Sequence, residues 1–264
     1  MPGISELRAW WAGWPPAAGA AVMATGIVSM GLHLSGDETL SRVVLVLAAI
    51  AWVALAADFV MRLATDRPRW LADAATPGAL TAVAATTVLG TRLSVLGWET
   101  LAAALLALSA LLWPGLLVFV MRHWARRMPG SVFLGCVATQ GLAVLGATLA
   151  AAVETAWLAH TAMVLFWLGL VLYGLALVRF DLRQVLEGAG DHWIAGGALA
   201  ISALAGARLI AAGDGRPHRP APDGRSERTS RSRHPTADDL AYMRAIAPHA
   251  SRPSPFPRFG HHAA

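Results

Sequence analysis

Hydrophobic residues fill 56% of the 264 positions and charged residues only 14%, against roughly 25% charged in a soluble domain. The formal net charge of +5 does not indicate nucleic-acid binding. Residues 1–213 balance 12 Arg against 11 Asp or Glu, and the excess lies in residues 214–264, with 9 Arg against 5. All 21 basic residues are Arg, and the lone Cys136 excludes a disulfide framework or a Cys-based metal site.

The apolar residues gather in blocks of about twenty, the length a helix needs to cross a ~30 Å hydrocarbon core. The chain therefore reads as an all-α polytopic membrane protein. Residues 1–16 form an interfacial leader in which Arg8 precedes Trp10, Trp11 and Trp14. The apolar run after Pro15-Pro16 continues through Leu34 with no basic stretch before it, which argues against a cleaved signal peptide.

Seven spans are predicted across a transmembrane domain of residues 17–212, at about 17–34, 43–63, 77–97, 101–121, 132–153, 157–178 and 193–212. The first carries Thr25, Gly26 and Ser29 on an otherwise apolar helix. The second ends near Asp58 and Arg62, an i,i+4 pair read as structural. The third is the least apolar, with Thr81, Thr86, Thr87, Thr91 and then Arg92. The fourth holds Trp113-Pro114 in its middle, where a kink is expected. Cys136, in the fifth, is read as a small packing residue. Residues 213–264 are expected to be a disordered Arg/Pro-rich tail, because residues 214–264 hold eight of the fifteen prolines and no apolar block able to span. The abrupt switch after Gly213 is what a shift of reading frame would produce.

Arginines set the orientation. With the N-terminus in the cytoplasm, cytoplasmic segments carry nine Arg (positions 8, 62, 67, 69, 122, 126, 127, 179 and 183) and external loops two, Arg42 and Arg92. The spans also alternate in character. Odd ones carry small and hydroxylic residues, including Gly90, Thr139, Gln140, Gly141, Gly146 and Ser202. Even ones are largely Leu, Val, Ala and aromatics, with only Ser109 and Thr161 as hydroxyls. Lipid solvates Leu-rich faces well, whereas small residues let backbones approach and hydroxyls bond across helices. Inner polar helices followed by greasy outer ones are therefore expected, and the inner set is read as either packing together or surrounding a path.

Three segments then carry a resemblance. Val22-Met23-Ala24-Thr25-Gly26-Ile27-Val28-Ser29 after a Pro-rich entry, Val137-Ala138-Thr139-Gln140, and Asp191-His192-Trp193-Ile194-Ala195-Gly196-Gly197-Ala198-Leu199-Ala200-Ile201 resemble, in that order, the tellurite-resistance/C4-dicarboxylate transporter family. That family includes yeast malate permeases and is related to plant slow anion channels. The resemblance covers about residues 15–212. It implies ten helices in five hairpins, odd helices around a central pore and even ones facing lipid, a homotrimer, and transport of small anions such as dicarboxylates across a plasma membrane. The seven predicted spans leave three of the ten helices, and the family's gating phenylalanine on the ninth, without a counterpart.

The functional candidates are thus Thr25, Gly26, Ser29, Thr86, Thr87, Thr139, Gln140 and Ser202 as pore-lining residues, with Arg92 and Arg208 as anion-attracting charges near helix ends. No H-E-x-x-H, Cys pair, G-x-S-x-G or P-loop occurs, so neither a metal site, nor a cofactor, nor an enzymatic activity is expected. Three readings remain: an anion transporter, a truncated non-conducting remnant of one, and a seven-helix accessory membrane protein.

Overall fold

A computed structural model of the chain describes residues 18–186 and 192–214. The expected leader (1–16) and nearly all of the expected tail (213–264) lie outside the described residues. Nine α-helices are present among those described: α1 Gly19–Leu34, α2 Glu38–Thr65, α3 Arg67–Ala74, α4 Leu80–Val95, α5 Glu99–Arg122, α6 Leu134–Ala152, α7 Ala156–Arg179, α8 Arg183–Leu186 and α9 His192–Asp214. Short 3₁₀ turns, Pro77–Ala79 and Gly130–Phe133, lead into α4 and α6.

The seven predicted spans correspond to α1, α2, α4, α5, α6, α7 and α9. Six of these are long and apolar enough to cross a membrane, α4 and α6 being counted with the 3₁₀ turns that lead into them. The exception is α1, whose 16 residues reach only about 24 Å at ~1.5 Å per residue. The short helices α3 and α8 follow the ends of α2 and α7, and no apolar periodicity announces them. α5 runs unbroken through Pro114.

Three hairpins, α1/α2, α4/α5 and α6/α7, turn in the same way. Gly36 (φ 89°), Gly97 (φ 81°) and Glu154 (φ 52°) occupy the left-handed region. The next residue's N–H then reaches back to the carbonyl five positions earlier: Asp37 to Leu32 at 2.9 Å, Trp98 to Leu93 at 3.0 Å, Thr155 to Ala150 at 3.1 Å. This is the helix-terminating Schellman geometry, which glycine adopts without steric penalty. Only the third turn places a side chain there. Glu154→Gly is expected to raise stability by a few tenths to about 1 kcal/mol, the relief of left-handed strain minus glycine's extra unfolded entropy. Thermal unfolding in detergent measures it.

The odd spans pack in a row, α1 on α4, α4 on α6 and α6 on α9, and α2, α5 and α7 lie outside it against their hairpin partners. Burial follows this plan at the centre. Of the apolar windows, 94% of that ending in α6 and 72% of that ending in α4 are buried, against 11%, 28% and 22% for those of α2, α5 and α7. The seventh span departs from the expected alternation: only 22% of the α9 window is buried. α9 closes one end of the row, so its far side meets no neighbour among the described residues. α1 closes the other end, and the two make no extended interface, so the row is an open arc.

Glycines determine how closely the row packs. A Cβ on Gly26 of α1 would fall 2.7 Å from Val88 Cγ1 of α4, and one on Gly90 of α4 2.7 Å from Leu145 Cδ2 of α6. A Cβ on Gly141 of α6 would collide with Thr87 Oγ1 of α4. Each glycine is a hole filled by a side chain of a neighbouring inner helix. This is how membrane helices gain packing energy where lipid removes the hydrophobic incentive to associate.

Candidate anion site

The site begins at the first hairpin turn. The Schellman turn at Gly36 delivers Glu38 as the first residue of α2, and α4 brings Arg92 to the same side of the bundle. There Arg92 Nη2 donates to Glu38 Oε1 and Oε2 at 3.2 Å each and to Ser41 Oγ at 3.0 Å. Glu38 is shared further: Arg42 Nε donates to Oε1 at 3.0 Å, and His33 Nδ1 lies 2.6 Å from Oε2. Beneath them α1 and α2 clasp through two serines. Ser29 Oγ donates to the Ser41 carbonyl at 2.8 Å, and Ser41 Oγ to the Ser29 carbonyl at 2.7 Å.

Arg92 is wholly buried (0% exposed). Among the described residues its Nε and Nη1 have no hydrogen-bond partner. A buried donor without an acceptor costs about 1–3 kcal/mol, more when charged. Two guanidiniums face one carboxylate, so the cluster carries net positive charge whatever the state of His33. Arg92 is visible in the sequence as a charge near a helix end, whereas its partner Glu38 lies 54 residues away. The only local sign of Glu38's role is Arg42 at i+4.

Arg208 is not brought to this cluster. It lies on α9, separated from α4 by α6, and makes no hydrogen bond or ion pair with any described residue.

The residues expected to line a path make the following contacts. Ser29 faces α2, as above. Gly26 receives Val88. Thr25 Oγ1 donates to the Ala21 carbonyl at 2.8 Å. Thr86 donates to the Ala82 carbonyl at 2.7 Å and accepts from Trp52 Nε1 of α2 at 2.9 Å. Thr139 repeats this one hairpin later, donating to the Gly135 carbonyl at 2.8 Å and accepting from Trp113 Nε1 of α5 at 2.9 Å. Thr87 donates to the Ala84 carbonyl at 2.8 Å and fills the hollow at Gly141. Gln140 Nε2 donates to the Phe166 carbonyl at 3.2 Å, while its buried Oε1 has no partner among the described residues. Ser202 donates to the Ala198 carbonyl at 2.8 Å, and its oxygen lies 4.0 Å from Cys136 Sγ.

In a bilayer no water rescues an unpaired hydroxyl, and each of these threonines and serines bonds a carbonyl within reach, whereas the buried Ser94 and Ser109 hydroxyls have no partner among the described residues. The hydrogen on each bonded hydroxyl is then committed, which leaves these threonines and serines as acceptors rather than donors. The paired tryptophan–threonine links were missed from sequence. Their one signal is that Trp52 and Trp113 lie mid-helix, away from the interfacial positions where membrane tryptophans usually anchor.

The expected Asp58–Arg62 pair is present at 2.8 Å (Arg62 Nε to Asp58 Oδ2). It is joined by Asp73 of α3, whose Oδ2 accepts from Arg62 Nη1 at 3.0 Å.

The family model of the voltage-dependent anion channel matches residues 14–245, which include every described helix and run on past residue 212, where the motif resemblance ends. No curated protein and no solved structure matches the chain. That family includes the tellurite-resistance and malate-permease relatives to which the three motifs point, and its activity is the passage of anions. With its apolar helices long enough to span and its positive cluster at a helix end, this multi-pass membrane protein belongs to the voltage-dependent anion channel family.

Proposed function

We propose that this chain carries small carboxylate anions of the C4-dicarboxylate class along the arc α1–α4–α6–α9, with Arg92 as the charge that draws them to the side bearing the hairpin turns. One observation carries the reading: a fully buried guanidinium on an inner helix with two N–H-bearing nitrogens that have no partner among the described residues. The hydroxyls of Thr25, Ser29, Thr86, Thr87, Thr139 and Ser202, with Gly26 and Gln140, serve this path by fixing the spacing of its walls. Arg208 adds positive charge near the same end of α9. The resemblance supports a homotrimer in the plasma membrane, and the Arg distribution supports a cytoplasmic N-terminus.

Purified protein in proteoliposomes tests this directly. Radiolabelled malate or succinate should enter faster than into empty vesicles, and unlabelled dicarboxylate should compete better than chloride. Chloride flux without dicarboxylate flux would remove the substrate class and keep the anion path.

A second reading, a non-conducting remnant or accessory subunit, is favoured by the committed hydroxyls and by the open arc between α1 and α9. Well-folded protein that passes neither anion would establish it over the first.

A further inference from the structure

A crevice of about 340 Å³ lies between the outer helices α2 and α5, with α4 as its floor. Its size falls within the ~300–1,000 Å³ of small-molecule sites. Ala82 and Ala85 of α4 form a smooth floor, and Leu55, Phe59, Leu108 and Leu112 form apolar walls. At its deep end Trp52 lines it, bonded to Thr86. At its shallow end Arg62 bridges Asp58 and Asp73 under the short helix α3. Trp52 and Arg62 are ten residues apart on one helix, or about 15 Å. That is half of a ~30 Å hydrocarbon core. The crevice is therefore one leaflet deep.

Its shallow end presents polar groups that lack partners. Trp70 of α3 lines the crevice, and its buried Nε1–H has no acceptor among the described residues. Arg67 lies one turn earlier on the same face of α3, exposed and without a hydrogen bond or ion pair to any described residue. An indole N–H one helical turn from an exposed guanidinium, at the depth where acyl chains meet headgroups, matches an ester or phosphate oxygen above a hydrocarbon chain. The apolar walls give neither a free small anion nor water anything to bond below the mouth. The crevice lies between the outer helices α2 and α5 on the outer side of α4.

We propose that this crevice holds one acyl chain of a membrane phospholipid, its phosphate bound by Arg67 and its ester region by Trp70. A second crevice, between α5 and α7 over α6, has similar apolar walls but opens at the opposite side, by Glu99 and Thr155, with no arginine at its mouth. It provides an internal control.

The full-length protein, reconstituted in phospholipid and extracted in mild detergent, is examined by native mass spectrometry. One phospholipid mass per chain should persist after detergent washing. Ala82→Phe, which fills the floor, should abolish retention, whereas Ala107→Phe, which fills the control crevice, should leave it unchanged. Arg67→Gln, at an exposed position that does not bear on folding, should lower retention about fivefold, and Trp70→Phe should weaken it in the same direction. Retention of a fatty acid or detergent in place of phospholipid, equal losses in both Phe variants, or no change in Arg67→Gln would each overturn the assignment.

Discussion

Replacing Arg92 by methionine is expected to lower anion uptake about tenfold while leaving thermal stability unchanged or slightly raised. The two signs come from the same geometry. The guanidinium is fully buried, and Nε and Nη1 are unpartnered among the described residues, so the fold bears a desolvation cost that is only partly offset. Replacing a whole buried ion pair by apolar side chains is often neutral or stabilising, and removing one partner is costly because it leaves the other charge buried and unpaired. Glu38 is not stranded by the change, because it is about one-third exposed and keeps His33 and Arg42 as partners. Flux should move the other way. A unit charge about 10 Å from a passing anion contributes roughly 1–2 kcal/mol at an effective dielectric near 20, and tenfold corresponds to about 1.4 kcal/mol. Arg92→Lys keeps the charge and should retain most of the flux, although it loses the fork that reaches Glu38 and Ser41 together. A merely structural arginine would give the opposite pattern, with stability lost in both variants and flux per folded molecule intact. Thermal unfolding and proteoliposome uptake, measured on the same preparations, separate the two.

The helices were legible because a bilayer imposes their length and composition. A helix overlaps each expected range, six of them long and apolar enough to cross a membrane, and Asp58–Arg62 follows from spacing alone. What the hydroxyls do was not legible. A threonine on an apolar helix has the same sequence signature whether it faces an ion or a tryptophan, and Thr86 and Thr139 face tryptophans on outer helices. The Arg92–Glu38 contact joins residues in different spans, and no local period encodes such a pairing. The third hairpin turn was hidden for another reason. Gly36 and Gly97 mark the first two, whereas Glu154 makes the same turn with a residue that normally avoids that conformation. Alternation of inner and outer helices was readable as composition, but α9 is placed by the open end of the row, which composition does not reveal.

The tightest contact in that row yields the second large effect. Gly141→Ala should destabilise the protein by about 1–3 kcal/mol, the usual penalty for overfilling a packed interior, because the new methyl group meets Thr87 Oγ1 on the facing helix. Thr87 has little room to yield: it is fully buried, and its hydroxyl is tied to the Ala84 carbonyl at 2.8 Å. Thr87→Ala alone should cost less, since it removes the hydroxyl together with its local bond and leaves a small void. The double variant should then recover most of the loss in Gly141→Ala, giving a favourable coupling of about 1 kcal/mol or more between two residues in direct contact. Thermal midpoints of the four proteins in one detergent measure it. Additive losses would mean that α4 and α6 are not held by this contact. A recovered double variant with unchanged anion uptake would assign Thr87 to the wall's spacing rather than to the anion's path.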